Sequence, residues 1–536
     1  MNTQRRSEPD APSAPVLVVG AGPVGAILAL ELAHHGVPSI LIDRSLTPSR
    51  HPKMDFVNGR SMELLRRLGL SDEIRALGVG PEHPFTFIWT RGFDEPPLTR
   101  WHYPSVAGVL EKINKVNDGS MPLEPYQRVL GSLLEDLGRR RTRAHPLIDV
   151  REGWTFVRLD QDADGVTAHV VDSTTGTRHS IRTRFLVGCD GANSAVRQAL
   201  RIPLDSIGPT TRHCDVYFRS GDPALRQHGR FFLTISGRGL TLVSRDEKDT
   251  WTGTFPVFDD GPLPADPMAV VQERLGVKFR VDEVIITAEW IGRMAVAESY
   301  RRGSVFLAGD AAHQFFPTGG HGANTGLGDA VDLGWKLAAV INGWGGPRLL
   351  DSYEAERRPV ALFNREMSLN LLEVWHRFPR MTQYGASREH LTGFLEKESY
   401  QVDNIGIHFG YRYTSSPVIC HEEGSAPRWE WQRIVPSTWP GGRAPSVRLR
   451  DGSALFDRFG TGLTLVDLSA ENAGKALVEE AQRRGVPMTH LPVDDENVRA
   501  VWERDLVLVR PDHHVAWRGN TPPEDWGAVL DRVCGR

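Results

Sequence analysis

Residues 15–43 read PVLVVGAGPVGAILALELAHHGVPSILID, a stretch that leaves a chain little choice but a doubly wound α/β core. An apolar strand ends at Gly20, and Gly22 and Gly25 complete a GxGxxG turn with Pro23 and Val24 between them. A helix runs to a second turn at Gly36, and a second strand closes at Asp43. The glycines allow a tight turn, the approach of a pyrophosphate to bare backbone, and close helix–sheet packing, while an acid about twenty residues on can hold a ribose hydroxyl. The helix N-terminus adds a positive end for the phosphates. Arg5-Arg6 before an apolar run also fits a signal peptide or membrane anchor, but glycines, prolines, Glu31 and His34-His35 interrupt it. A spanning helix needs about twenty apolar residues in succession. Dinucleotide binding is therefore the reading.

A second stretch, GSVFLAGDAAHQFFPTGGHGANTGLGDAVDLGWKL at 303–337, complements the first. A buried-looking strand ends in Gly309-Asp310, and a turn bearing Pro317 and several glycines enters a long helix near Gly322–Asn324. Such a helix start offers backbone N–H groups to an anion, and the missing side chains of Gly319, Gly320 and Gly322 let a flat ligand lie against the main chain. An anionic reduced flavin fits both requirements.

The 536 residues suffice for two or three domains. A net charge of −4 favours neither nucleic acid nor anionic membrane as a partner. The basic cluster Arg139, Arg140, Arg141 and Arg143 reads as a solvated helix C-terminus. Cys189, Cys214, Cys420 and Cys534 form no CxxC pair, which suits a reducing cytoplasm. Adjacent His34-His35 and His513-His514 share no helix face and HExxH is missing, so no protein-bound metal is expected.

Along the chain, 1–13 read as a disordered polar tail. Residues 14–88, 121–205 and 283–400 are assigned to a discontinuous nucleotide-binding domain, with helices at 59–70, 122–140 and 322–342. Residues 89–120, which look irregular, and the alternating strands of 206–282 make a β-sheet domain over a substrate. Three strands are expected between 154 and 187, with turns at Asp162–Gly165 and Thr174–Gly176. From 415 to 536, after a Pro/Ser/Trp-rich linker, the α/β pattern resumes as a small domain.

Gly20-x-Gly22-x-x-Gly25, then Cys189-Asp190-Gly191 with Ser194 and Arg197, then Gly309-Asp310 stand in the order of the three fingerprints of the single-component FAD-dependent aromatic hydroxylases, and over residues 15–375 the chain resembles that family, built like para-hydroxybenzoate hydroxylase. The segments GYRYTSSPVI, WPGGRAPSVRL and VLVRPDHHVAWR resemble the phenol, dichlorophenol and polyketide hydroxylase branch, which adds a C-terminal thioredoxin-like domain. Without a CxxC that domain is expected to be structural or to support a homodimer. The resemblance implies the following contacts. Gly20, Gly22 and Gly25 take the FAD pyrophosphate, Asp43 and Arg44 the adenosine ribose and its neighbour, and Gln127 the FAD linker. Asp190 serves both FAD and nicotinamide use, Asp310 binds a ribityl hydroxyl, and Pro317 with Gly319, Gly320, His321, Gly322, Ala323 and Asn324 lies along the isoalloxazine. Lys53 stands where many relatives have arginine, keeping the charge but losing the planar fork.

The resemblance also points to Asp55, five residues before Arg60-Ser61-Met62-Glu63, as the aspartate that faces a substrate phenol; a loop or capping acid is the plain alternative. The implied reaction is hydroxylation of a phenolic or polyketide-type ring with O2 and NAD(P)H, NADPH favoured, through a flavin C4a-hydroperoxide. The nicotinamide is expected to bind transiently, since a second framed GxGxxG is missing. A Baeyer-Villiger or epoxidising enzyme and a non-catalytic FAD-binding protein remain rivals. Halogenation, suggested by Trp429-Glu430-Trp431, fails on the spacing of its motif. Tyr217, Phe232, Trp251 and Phe255 of the β-sheet are candidates for the pocket wall, although period two leaves either face open.

Overall fold

A computed structural model describes residues 14–51, 55–258 and 261–536; the tail 1–13 and Lys53 lie outside the described residues. Six strands form the nucleotide sheet, in the order Arg301–Arg302, Val305–Leu307, Phe185–Gly188, Val16–Val19, Ser39–Asp43 and Ile148–Glu152. All neighbours but the first pair are parallel. Parallel strands covered on both faces must be apolar throughout, and VLVV and FLVG are buried at every position. The helices Pro23–His34 and His321–Ile341 pack against each other over this sheet. Pro23 occupies the first helical turn, where its missing N–H costs nothing.

The region 154–187 departs from the expectation. Three strands, Trp154–Asp162, Gly165–Asp172 and Arg178–Thr183, make a small antiparallel sheet with both expected turns. The fourth run, Phe185–Gly188, leaves it to pair with Val16–Val19. That choice carries the Cys189-Asp190-Gly191 motif to the glycine-rich turn.

An eight-stranded sheet holds, in order, His313–Gln314, Glu283–Ala297, Leu204–Arg219, Thr250–Val257, Leu240–Ser244, Leu233–Ser236, Phe85–Thr90 and Thr99–Tyr103. Residues 85–88 and 283–297, assigned from the sequence to the nucleotide half, therefore pair in this sheet. Nor is 89–120 irregular: it contains the edge strand Thr99–Tyr103 and the helix Val106–Lys115, whose Ser105 side chain accepts from Gly108 N. One face of the sheet buries Val216, Phe218, Trp251 and Phe255 against Val271 and Leu275 of the helix Pro267–Leu275.

Two helical expectations are shortened. Gly59–Arg66 stops before Gly69, which has φ +69°, and a separate helix Ser71–Leu77 follows. The helix placed at 122–140 begins at Gly131, because Pro122 and Pro125 keep the preceding chain extended and Gln127–Arg128 pairs with Phe56–Val57. In the basic cluster Arg140, Arg141 and Arg143 are exposed at the helix C-terminus, as expected, and only Arg139 departs from that reading. Arg139 is buried and pairs with Asp43, Glu135 and Glu152, so it locks this helix to the end of strand Ser39–Asp43.

The last four strands run in the order Met488–Pro492, Leu463–Asp467, Leu506–Val509, Val515–Gly519, with a parallel first pair and antiparallel partners beyond. This unit is bolted to the nucleotide half. Arg510 binds Glu356 at 2.7 and 2.8 Å, Asp332 at 2.9 Å and Asp512 at 2.6 Å, while Lys336 reaches Asp332 at 2.8 Å and Glu356 at 2.6 Å. Arg443 pairs with Glu63 at 2.5 Å. The carboxylates of Asp332, Glu356 and Asp512 lie close enough together to hold a cation, and the Lys336 ammonium and Arg510 guanidinium supply the positive charge between them. Among the described residues no helix is long and apolar enough to cross a membrane.

Candidate active site

Between the nucleotide sheet and the open face of the eight-stranded sheet lies a cavity of about 1310 Å³. Single-ligand pockets run to about 300–1,000 Å³, so this space admits a cofactor and a second molecule. Gly22, Pro23 and Val24 line it, as do Pro317, Gly319, Gly320, His321, Gly322 and Ala323.

The glycines divide into two kinds. A Cβ on Gly20 would overlap the Cys189 carbonyl and one on Gly25 would overlap the Gly20 carbonyl, so these two let the chain pack on itself. A Cβ on Gly22 or Gly322 meets nothing within 4 Å. Their bareness serves no contact within the fold, and both face the cavity. Gly319 and Gly320 hold φ +74° and +68°, which turns the chain into the helix His321–Ile341 and leaves its first N–H groups at the cavity wall. Gly309, at φ +62°, packs on Val24 and joins the two glycine-rich segments.

The expected acids occupy different situations. Asp43 accepts from Ala21 N and Ser45 N, both at 2.7 Å, and so braces the glycine-rich turn; Arg44 beside it is exposed. Asp190 accepts from Val196 N at 3.1 Å, while its other oxygen, Oδ1, is buried without a partner. Burial pushes its carboxyl upward. Asp310 is on the cavity wall. An open glycine cradle at Gly22 and Gly322 and a helix end at the cavity wall are what FAD would complete, so the residues fit that cofactor. Asp310→Ala is expected to purify pale but folded, losing one charged hydrogen bond worth about 1.5–3 kcal/mol; flavin absorbance per polypeptide checks it.

Two expected contacts are redirected. Gln127 donates to the Val79 and Arg128 carbonyls at 2.9 and 3.0 Å and accepts from Arg75, which uses its side chain within the protein, outside the cavity lining. Asn324 accepts from Asn58 N and donates to the Phe56 and Gly320 carbonyls, so its amide pins the helix start to the strand Phe56–Val57. Asn324 thus positions the turn rather than lining the main cavity.

The sheet supplies the other wall. Asp55 forms an ion pair with Arg245, whose Nε donates to Thr252 Oγ1 at 2.8 Å. Burial draws the Arg245 guanidinium down to about 9, and the facing carboxylate favours its charged form. Next along the sheet, Asp215 accepts from Thr254 Oγ1 at 2.7 Å and Trp290 Nε1 at 2.9 Å, with His51 Nε2 at 3.5 Å. Of the four candidate aromatics only Phe232 lines the cavity. Trp251 and Phe255 belong to the opposite-face core. Tyr217 shares the face of Asp215 but lies outside the lining. Arg245, His51 and Asp215 were missed from the sequence, although the alternation in HCDVYFRS already placed His213 and Asp215 together.

Residues 13–365 match the family described as FAD binding domain, and 437–536 match that described as aromatic-ring hydroxylase, C-terminal. The FAD-dependent monooxygenase apdD of Emericella nidulans is 36% identical over 94% of this chain and 87% of its own. Tetracenomycin B2 monooxygenase-dioxygenase of Streptomyces olivaceus is 32% identical over 97% and 98%. The structure of the rebeccamycin biosynthetic enzyme RebC with reduced flavin superposes with a TM-score of 0.85 at 31% identity, covering 98% of this chain and 100% of that one. Over nearly its whole length, then, the chain matches one family, and it belongs to the FAD-dependent aromatic-ring hydroxylases, a group of monooxygenases.

Proposed function

We propose that this monooxygenase hydroxylates a phenolic or polyketide-type aromatic ring beside Asp55, using O2 and a transiently bound NAD(P)H, with NADPH the preferred donor. The observation that carries the reading is the Asp55–Arg245 pair, which lines the same cavity as the turn Pro317–Ala323. Bound FAD supplies the electrons that divide O2 and deliver one oxygen atom to the ring. Gly319, Gly320 and the first N–H groups of helix His321–Ile341 hold it and favour its anionic form. Phe85, Phe87, Tyr103 and Phe232 give the substrate end apolar walls that exclude water. Asp55 takes the proton of the ring hydroxyl, and Arg245 holds the resulting oxyanion. That raises electron density on the ring carbons under attack.

A pure preparation is expected to be yellow and to oxidise NAD(P)H faster when an accepted phenol is present. In Asp55→Asn, FAD binding should persist while product formed per NAD(P)H falls about 10²-fold, the lower end for a positioned base because this carboxylate shares its charge with Arg245. Hydrogen peroxide should account for the difference. Unchanged coupling in this variant would return Asp55 to a structural role.

A further inference from the structure

Asp55 and Arg245 come from opposite halves of the molecule, and one residue, Arg128, holds the chain on both sides of their pair. On the Asp55 side the link is backbone: Phe56 pairs with Arg128, and Val129 N donates to the Asp55 carbonyl at 3.0 Å. On the Arg245 side it is a side chain. One arm of Arg128 donates to the Ser244 carbonyl at 2.8 Å and the other to Glu247 Oε1 at 2.8 Å, so the residue before Arg245 and the second residue after it are both tied down. The same guanidinium lies 4.5 Å from the ring centre of Phe232, which lines the cavity and stacks on Phe85. Arg128 itself is buried outside that lining.

The turn that carries Arg245 is shaped around this contact. Between Leu240–Ser244 and Thr250–Val257 the chain closes without Glu247: Arg245 N donates to the Thr250 carbonyl, and Asp246 accepts from Lys248 N, Thr250 N and Thr250 Oγ1. Glu247 nevertheless sits at φ +58°, a left-handed position that glycine takes without strain, and its carboxylate is buried among Arg128, Arg226 and Arg230. An acid kept in strained backbone where the turn does not need its side chain points to work done by that side chain. The two ion pairs also run in opposite senses. The nucleotide half offers Asp55 and Arg128, and the hairpin offers Arg245 and Glu247. A slip of the hairpin past Phe56–Val57 and Gln127–Arg128 would bring like charges together, so the charge order admits one register.

We propose that Arg128 is the positioning residue of the Asp55–Arg245 pair: through Glu247 and the Ser244 carbonyl it fixes where the Arg245 guanidinium meets the Asp55 carboxylate. The proposal rests on the hydroxylase reading of that pair. Arg128 touches neither substrate nor flavin, and its effect passes through the hairpin. The planar fork of an arginine suits the task, since it serves two acceptors at fixed angles where a lysine would serve one point. Its removal leaves the Glu247 carboxylate with Arg226 at 3.3 Å, so the buried charge keeps a partner. The hairpin then keeps Arg245 on its own sheet through Thr252 but loses its tie to the chain beside Asp55.

The test compares Arg128→Gln, Asp55→Asn and the double variant as holoenzymes. In protein labelled with ¹³C-aspartate, with the Asp55 signal identified by its loss in Asp55→Asn, the Asp55 titration midpoint is expected to rise by about one pH unit in Arg128→Gln, because a displaced guanidinium favours the carboxylate less. Arg128→Lys keeps the charge at Glu247 without the fork and should move the midpoint the same way by about half as much, which supplies the reading if the glutamine variant does not fold. Product formed per NAD(P)H on an accepted phenol should fall about tenfold in Arg128→Gln, less than in Asp55→Asn because the pair is displaced rather than abolished, while FAD affinity is unchanged. The double variant should couple no worse than Asp55→Asn alone, as residues acting as one unit do. An Asp55 midpoint unmoved in both Arg128 variants, or losses that multiply in the double variant, overturns the proposal and leaves Arg128 and Glu247 as a clamp between the two halves. Intact coupling in Asp55→Asn would instead sink the hydroxylase reading of the pair, and the Asp55 midpoint would still decide whether Arg128 positions it.

Discussion

Gly22→Val is expected to give a folded protein that no longer retains FAD. Gly22 holds φ −67°, open to any residue, and an added Cβ meets no protein atom within 4 Å, so nothing in the fold opposes the substitution. What the branched side chain occupies is the space in front of the helix Pro23–His34, where a pyrophosphate has to approach backbone N–H groups. The expected weakening is at least about a thousandfold, or about 4 kcal/mol, read by equilibrium dialysis against FAD with circular dichroism as the check on folding. Gly25→Val is the contrasting control, since its Cβ would overlap the Gly20 carbonyl and the fold itself should suffer. Normal FAD affinity in Gly22→Val would place the dinucleotide elsewhere.

Arg510→Ala is expected to cost about 3–5 kcal/mol of stability, the range for removing one partner of a buried ion pair. Arg510 is fully buried and bridges Asp332, Glu356 and Asp512, and its loss leaves Asp332 and Glu356 paired with Lys336 and strips Asp512 of its ion-pair partner. Because Asp332 lies on the helix whose start lines the cavity, FAD retention should decline in step with stability. Urea unfolding followed by tryptophan fluorescence measures the first, and flavin release measures the second. A change below about 1 kcal/mol would mean that water replaces the guanidinium at little cost.

The parts of this molecule that were legible in the sequence are those where one local rule has one outcome. Gly20, Gly22, Gly25 and Asp43 stand in a strand–turn–helix–strand frame whose backbone demands are met only by that arrangement. The alternation in 212–290 likewise announced a sheet. Legibility failed where tertiary partners decide. Nothing near Gln127 signals that Val79 and Arg128 will claim its amide, and the helical spacing of 122–130 was overridden by two prolines and a pairing with Phe56–Val57. Arg245 and Asp215 are remote in sequence from Asp55 and His51, so the charged pairs on the cavity wall exist only once the two halves close. Which face Trp251 or Tyr217 takes is likewise settled by the register of Thr250–Val257 against Leu204–Arg219.

The interleaved order of strands bears on how this chain is made. Val16–Val19, made before every other strand of its sheet, is flanked in the finished sheet by Ser39–Asp43 and Phe185–Gly188, and that last strand needs Val305–Leu307 on its other side. Phe85–Thr90 waits for Leu233–Ser236, and Glu63 waits for Arg443. Early segments therefore emerge with apolar edges, and with a carboxylate that has Arg60 beside it but not yet Arg443. Such non-local pairing is slow and exposes the growing chain to association with its neighbours, so the yield of active protein during expression should depend on translation rate, temperature and chaperone supply more steeply than the stability of the finished enzyme suggests.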